Sequence, residues 1–223
     1  MSLWVKICAN TSLADAQSAA DAGADAVGFV FAPSPRRVTR EDVAAIAPHL
    51  PANLEKIGVF VGAPFEEIVA TVEACKLTGV QLHAEVGADV AARLRVRFGA
   101  GLRILGVVHF GPDAAERARA IALDPHVDSI LVDSRTSTAM GGTGIAYDWQ
   151  QARATIFNDG KTQRLVVAGG LDPGNVAAAI ATLRPWGVDV VSGVEAAPGR
   201  KDAAKVWAFV TNARAAERAH SQN

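Results

Sequence analysis

Cysteine is almost absent: Cys8 and Cys75 are the only 2 in 223 residues. That is too few for a disulfide framework or a cysteine-rich zinc site, and it suits a reducing, cytoplasmic setting. No uninterrupted apolar run reaches the roughly 18 residues that would suggest a membrane span. The opening MSLWVKICAN carries Lys6 inside a short apolar stretch and lacks a small-residue cleavage site, so neither export nor membrane anchoring is expected. Charge of one sign is lacking too. Lys and Arg number 22 against 23 Asp and Glu, a net charge of -1, which leaves no overall basic field to hold nucleic acid. No low-complexity or linker-like stretch divides the chain, so residues 1–223 are read as one domain, with the last few expected to be disordered.

What is present is an ordinary globular balance, with 50% of residues apolar and 20% charged, in a length that a single α/β barrel fills unaided. Short β-branched runs alternate with alanine-rich stretches of helical spacing through eight cycles. Strands are predicted at Leu3–Cys8, Asp25–Phe31, Lys56–Val61, Gly79–His83, Arg103–His109, Ser129–Asp133, Arg164–Ala168 and Val188–Ser192. Helices are predicted at Ser12–Asp21, Thr39–Pro48, Pro64–Lys76, Ala88–Phe98, Pro112–Leu123, Asp148–Ile156, Pro173–Leu183 and Asp202–Arg214. Gly23 reads as a C-terminal cap, and Asp172 before Pro173 as an N-cap ahead of a first-turn proline. Strands separated by helices pair in parallel, and eight such units close most simply into a (β/α)8 barrel. An open dinucleotide-binding sheet would want G-x-G-x-x-G after the first strand, and none is there.

Such a barrel builds its site at the C-terminal ends of its strands. Cys8, His83, His109, Asp133 and Ser192 stand at those ends, with Arg36 and Arg37 in the loop after the second strand. Three glycine-bearing segments end the last three strands: GGTG (Gly141–Gly144), AGGLDPGN (Ala168–Asn175) and SGVE (Ser192–Glu195). Each alone would serve a tight turn, but adjoining loops seven and eight suit a phosphate held by backbone N–H groups. Strand alternation puts Trp4, Lys6 and Cys8 on one face. Lys6 then points into the barrel, where an unpaired ammonium is costly, and Asp189 on the last strand is a candidate partner. Lys6 lies roughly 6.6 Å along the strand from Cys8, close enough to favour a thiolate. Taken alone, Cys8 and Cys75 read as small buried apolar groups, Asp133 as a loop organiser, and Arg36 as a solvated charge.

The strings VKICANT (Val5–Thr11), DAGADAVGFVF (Asp21–Phe31), SPRRV (Ser34–Val38), GVFV (Gly58–Val61) and VQLH (Val80–His83) fall in a telling order. LVDS (Leu131–Ser134), GGTG, YDW (Tyr147–Trp149), AGGLDPGNV and VDVVSGVEAAPGRKD (Val188–Asp202) continue it. Over nearly its whole length the chain resembles the phosphoribosylanthranilate isomerases of tryptophan biosynthesis. The resemblance implies an aldose–ketose isomerase without metal or organic cofactor, acting as monomer or homodimer on a small-molecule substrate. Its reaction is the Amadori rearrangement of N-(5-phosphoribosyl)anthranilate to 1-(2-carboxyphenylamino)-1-deoxyribulose 5-phosphate.

Carried over on the matching motifs, Cys8 is the general base, Asp133 the general acid, and Arg36 the holder of the anthranilate carboxylate. His83 and Asp189 are expected to contact substrate, and Gly142, Gly169, Gly170, Ser192 and Gly193 to hold the phosphate. His109 receives no specific role. The chemistry needs a proton delivered to the furanose oxygen and a base at the sugar C2, so Asp133 has to be protonated and Cys8 a thiolate. The family usually has glycine after the KIC cysteine and after QLH, where this chain has Ala9 and Ala84. If either position needs a positive φ, alanine costs about 1 kcal/mol. Two alternatives remain: a non-catalytic sugar-phosphate-binding barrel, and a bifunctional isomerase that also serves histidine synthesis. The latter would be expected to carry aspartate where Cys8 stands.

Overall fold

The computed structural model describes residues 2–83, 89–134, 148–159 and 164–221. Strands β1 (Trp4–Ile7), β2 (Ala26–Val30), β3 (Glu55–Phe60), β4 (Gly79–Leu82), β5 (Arg103–His109), β6 (Ser129–Asp133), β7 (Leu165–Ala168) and β8 (Gly187–Val190) pair in parallel, in sequence order. Pairing of β8 with β1, with Lys6 opposite Asp189, closes the barrel. Around it run α1 (Leu13–Asp21), α2 (Arg40–Ile46), α3 (Phe65–Cys75), α4 (Val90–Phe98), α5 (Ala114–Ala122), α6 (Trp149–Thr155), α7 (Val176–Leu183) and α8 (Ala203–Ser221). The alternation read from the sequence is therefore the architecture. No helix among the described residues is long and apolar enough to cross a membrane.

Strand alternation sorts the core into two parts. Trp4, Ala26, Ile57, Leu105, Val107, Leu131, Val166 and Ala168 form a buried cluster of their own. Their strand neighbours Val5, Ile7, Val27, Ile104, Val108, Ile130, Val132 and Val167 belong to a second cluster, shared with the helices. The first set lines the barrel interior, so the residues at matching alternate positions, Lys6, Gln81, His109, Asp133 and Asp189, also point inward. At the opposite end to the mouth Trp4 stacks on Trp186, ring centroids 5.2 Å apart.

Local chemistry explains several helix ends. Ser12 accepts the N–H of Asp15 at the start of α1. At its end Gly23, at φ +88°, lets Gly23 N–H reach Ala20 O and Ala24 N–H reach Ala19 O, a left-handed cap that alanine would strain. Thr39 and Asp42 exchange side-chain and backbone bonds in a capping box on α2.

The expected elements toward the end of the chain need correction. α7 begins at Val176 rather than Pro173, because Asp172 Oδ1 is spent on the N–H groups of Gly174 and Asn175 and forms a separate turn ahead of the helix. The last barrel strand stops at Val190, and Ser192–Val194 is a short 3₁₀ turn. Past it comes an antiparallel hairpin that periodicity did not reveal, β9 (Glu195–Ala197) and β10 (Arg200–Lys201).

Helix α8 continues to Ser221, beyond the predicted end at Arg214, and fastens the chain's two ends together. Glu217 Oε1 accepts the N–H of Leu3 at 2.6 Å, while Arg214 reaches Asp25 at 2.8 Å and the carbonyls of Leu3 and Gly23. Val206, Phe209, Val210 and Ala213 bury one face of α8, and burial of Phe209 alone contributes about 1.5–3 kcal/mol.

Candidate active site

Cys8 follows the last residue of β1 and prolongs its ladder, donating its N–H to Val190 O at 2.9 Å. His83 does the same after β4, reaching Phe60 O at 3.2 Å. His109 and Asp133 end β5 and β6 in mutual register, and Asp133 O accepts the Phe110 N–H at 2.8 Å. Because all eight strands run the same way, these four side chains stand at one mouth, with β7 and β8 between Cys8 and Asp133. His83 and His109 lie ring to ring, centroids 5.5 Å apart, and the buried Nδ1 of His109 has no hydrogen-bond partner among the described residues.

Two residues back along the strands sits a buried charge cluster. Lys6 has no exposed surface, and its Nζ donates to Asp189 Oδ1 at 2.9 Å and to Gln81 Oε1 at 2.8 Å. Gln81 Nε2 lies 3.4 Å from His83 Nε2, the outer limit of a hydrogen bond. Burial works against the ammonium, yet Asp189 and then Cys8 outweigh it and hold the Lys6 pKa above its ordinary value, so the charge is present. The partner expected for Lys6 is thus the one observed, and Asp189 is engaged as its counter-ion beneath the mouth. The expected effect on Cys8 is only half realised. Lys6, and more weakly Lys201, pull the thiol down, but burial is the larger influence and leaves Cys8 above the ordinary thiol value. The resting sulfur is a thiol that two lysines bias toward ionisation.

Gly28, to which the sequence reading gave no role, makes room for this sulfur. A Cβ on Gly28 would stand 2.5 Å from Cys8 Sγ and 3.0 Å from Lys6 Cε. The turn after Cys8 is held by Asn10, wholly buried, whose side chain donates to Ile7 O and Gly28 O. Ala9, at φ +61°, occupies the left-handed region, as the absent glycine suggested. The strain of about 1 kcal/mol is met by burial of its methyl group, about 0.8 kcal/mol, so alanine here is close to neutral. Ala84, Tyr147 and the GGTG segment with Gly142 lie outside the described residues.

Loops seven and eight interlock. Gly169 and Gly170 have φ of +82° and +66°. A Cβ on Gly169 would meet Ser134 Oγ at 2.1 Å and Asp133 Oδ1 at 2.6 Å, so this glycine lets loop seven close against the candidate acid. A Cβ on Gly193 would stand 2.0 Å from Leu171 O, which forces glycine where loop eight crosses loop seven. Asn175 braces the turn from Gly170 O to Asp172 N–H. Among the described residues, the N–H groups of Gly170 and Gly193 have no hydrogen-bond acceptor.

Arg36 is not the solvated charge of the bland reading. Its Nε and Nη2 grip Glu195 of β9 at 2.8 and 2.7 Å, both side chains nearly covered. Lys201 of β10, also buried, lies 3.5 Å from the same carboxylate and donates to Val191 O at 3.1 Å. Burial pushes the Glu195 pKa up, but Arg36 and Lys201 overcome it and hold the carboxyl below its ordinary value; burial lowers Lys201, which Glu195 only partly offsets. Gln81, Glu195 and Lys201 were missed as participants. Gln81 was within reach, two residues before His83 on one strand face, whereas nothing periodic marks Glu195 or Lys201.

Polar side chains from several strands, converging on the C-terminal mouth of a closed parallel barrel, define a (β/α)8-barrel enzyme. Comparison with known proteins narrows that class. A sequence profile described as N-(5'phosphoribosyl)anthranilate (PRA) isomerase matches residues 5–212. An N-(5'-phosphoribosyl)anthranilate isomerase of Pelobacter propionicus is 43% identical over 211 residues, 94% of this chain and 95% of that one. The crystal structure of phosphoribosyl anthranilate isomerase from Thermotoga maritima superposes with a TM-score of 0.85 at 35% identity, covering 96% of this chain and all of the other. A phosphoribosyl anthranilate isomerase in complex with reduced 1-(o-carboxyphenylamino)-1-deoxyribulose 5-phosphate gives 0.80 at 33% identity, covering 96% of this chain and 100% of that one. The chain belongs to the phosphoribosylanthranilate isomerase family.

Two predictions follow from the packing around Cys8. Lys6→Met leaves Asp189 buried without its partner and is expected to cost about 3–5 kcal/mol in urea unfolding. Lys6→Met/Asp189→Leu removes both charges and recovers most of that loss; equal losses in the two variants would contradict the buried-pair assignment. Gly28→Ala displaces the sulfur and is expected to reduce turnover at least about tenfold, with no comparable loss in the affinity of a product analogue. Unchanged turnover would show that Gly28 does not set the position of Cys8.

Proposed function

We propose that this chain catalyses the Amadori rearrangement of N-(5-phosphoribosyl)anthranilate to 1-(2-carboxyphenylamino)-1-deoxyribulose 5-phosphate, the isomerase step of tryptophan biosynthesis. The observation that carries the reading is the presence, in a member of this family, of Cys8 and Asp133 at one mouth of one closed barrel.

Asp133 gives its proton to the furanose oxygen, the ring C–O bond breaks, and the nitrogen lone pair forms an iminium at C1. The Cys8 thiolate then removes the C2 proton, and the C2–H electron pair becomes the enolamine double bond. Tautomerisation to the ketone completes the isomerisation. One proton leaves Asp133 and one arrives on Cys8, so a return proton transfer resets the enzyme. Since only the ionised sulfur can act as base, its burial makes the thiolate fraction the limiting quantity, and Lys6 and Lys201 are the groups that raise it.

The remaining roles follow the site's chemistry. The N–H groups of Gly169, Gly170, Ser192 and Gly193 cradle the substrate phosphate, joined by Gly142 from loop six. Arg36 takes the anthranilate carboxylate, His83 contacts the substrate, and Asp189 acts through Lys6.

The test is a steady-state assay on freshly made phosphoribosylanthranilate, following loss of its fluorescence above the spontaneous rate. Cys8→Ser and Asp133→Asn are each expected to lose about 10²–10⁴-fold in kcat while still binding a product analogue. Turnover near that of the unmodified enzyme in either variant, or a wild-type rate no greater than the spontaneous one, overturns the proposal.

A further inference from the structure

A guanidinium can bind two carboxylates at once, one along its Nε/Nη side and one across its two terminal nitrogens. In Arg36 the first edge is taken by Glu195, while Nη1 makes no hydrogen bond among the described residues. Glu195 is itself held on several sides: it is 8% exposed, and its Oε1 also accepts the N–H of Gly199 at 3.3 Å and lies 3.5 Å from Lys201 Nζ. The hairpin that carries Glu195 and Lys201 is pinned in turn. Thr11 Oγ1 donates to Gly199 O at 2.5 Å, Lys205 Nζ donates to Glu195 O at 3.0 Å, and a Cβ on Gly199 would lie 3.4 Å from Pro35 O, beside Arg36.

Charge balance points the same way. Arg36 and Lys201 carry two positive charges against the single negative charge of Glu195, so this covered cluster keeps one positive charge in excess. One further carboxylate neutralises it, and desolvated charge in that state costs least.

We propose that Glu195 is a positioning residue for substrate recognition: it fixes the Arg36 guanidinium by one edge so that the other receives the aryl carboxylate, and Lys201 keeps Glu195 from cancelling the charge that attracts it. The inference rests on the reading of Arg36 as the carboxylate-binding group. Glu195 thereby acts on discrimination between carboxylated and uncarboxylated aryl groups rather than on the proton transfers.

The measurement is calorimetric binding of two stable ligands to the folded enzyme. One is reduced 1-(o-carboxyphenylamino)-1-deoxyribulose 5-phosphate and the other is its phenylamino counterpart without the carboxylate. Wild-type enzyme is expected to prefer the first. Glu195→Gln is expected to shrink the ratio of the two Kd values by about tenfold or more, the loss falling on the carboxylated ligand. Equal weakening of both ligands would show a merely structural role and overturn the proposal, as would a ratio that is unmoved or that grows because charge alone governs the preference. Arg36→Met separates the two levels. A ratio that collapses in Arg36→Met but stands in Glu195→Gln removes the positioning role alone, whereas a ratio that survives Arg36→Met removes the Arg36 reading and this proposal with it.

Discussion

An ammonium group with no exposure to water has to be neutralised where it stands, and in this barrel that requirement ties together the strands under the candidate active site. Lys6 on β1 is held by Asp189 on β8 and Gln81 on β4, two residues below Cys8. The pair lies across the seam where the last strand meets the first, so the contact that closes the barrel also supplies the positive charge under the sulfur. Leaving either ion alone would be more costly than any single apolar contact in the core. Gly28, on the other neighbour of β1, leaves the space into which the sulfur projects.

The same economy of space governs the opposite side of the mouth. Asp133 ends β6 with loop seven folded tightly against it, at a distance only glycine at position 169 allows, and Gly193 lets loop eight cross loop seven in turn. The backbone proposed to hold the phosphate is therefore packed directly against the proposed proton donor. A third region, the hairpin after β8, brings Glu195 and Lys201 to Arg36 and so joins the loop after β2 to the chain's last turn before α8. The proposed acid, base and carboxylate-binding group thus stand on separate elements that the closed barrel holds in one frame.

How much of this could be read beforehand depends on whether a period of two reaches the residue. Lys6, Cys8, His109 and Asp133 sit on strands or one residue beyond them, where alternation decides which way a side chain points, and the cost of burying Lys6 named Asp189 as its partner. The (β/α)8 architecture followed for the same reason. Arg36 and Glu195 lie 159 residues apart on irregular segments, so nothing local announced their contact. The pull of Lys6 on Cys8 is legible because proximity is visible in a strand, whereas the burial that outweighs it is a property of the assembled barrel. Asp172 drew a helix start at Pro173 because its capping chemistry is genuine, but it is spent on a turn.

The central claim is that Lys6 pulls the buried sulfur toward ionisation against the effect of burial. It is tested most directly by titrating the thiolate absorbance of Cys8 near 240 nm, with Cys75→Ala removing the other thiol. Without Lys6 the larger of the two opposing neighbouring charges is gone, so Lys6→Met, alone or with Asp189→Leu, is predicted to titrate at higher pH than the parent. A titration at the same pH or lower, in variants shown to be folded, would contradict the account.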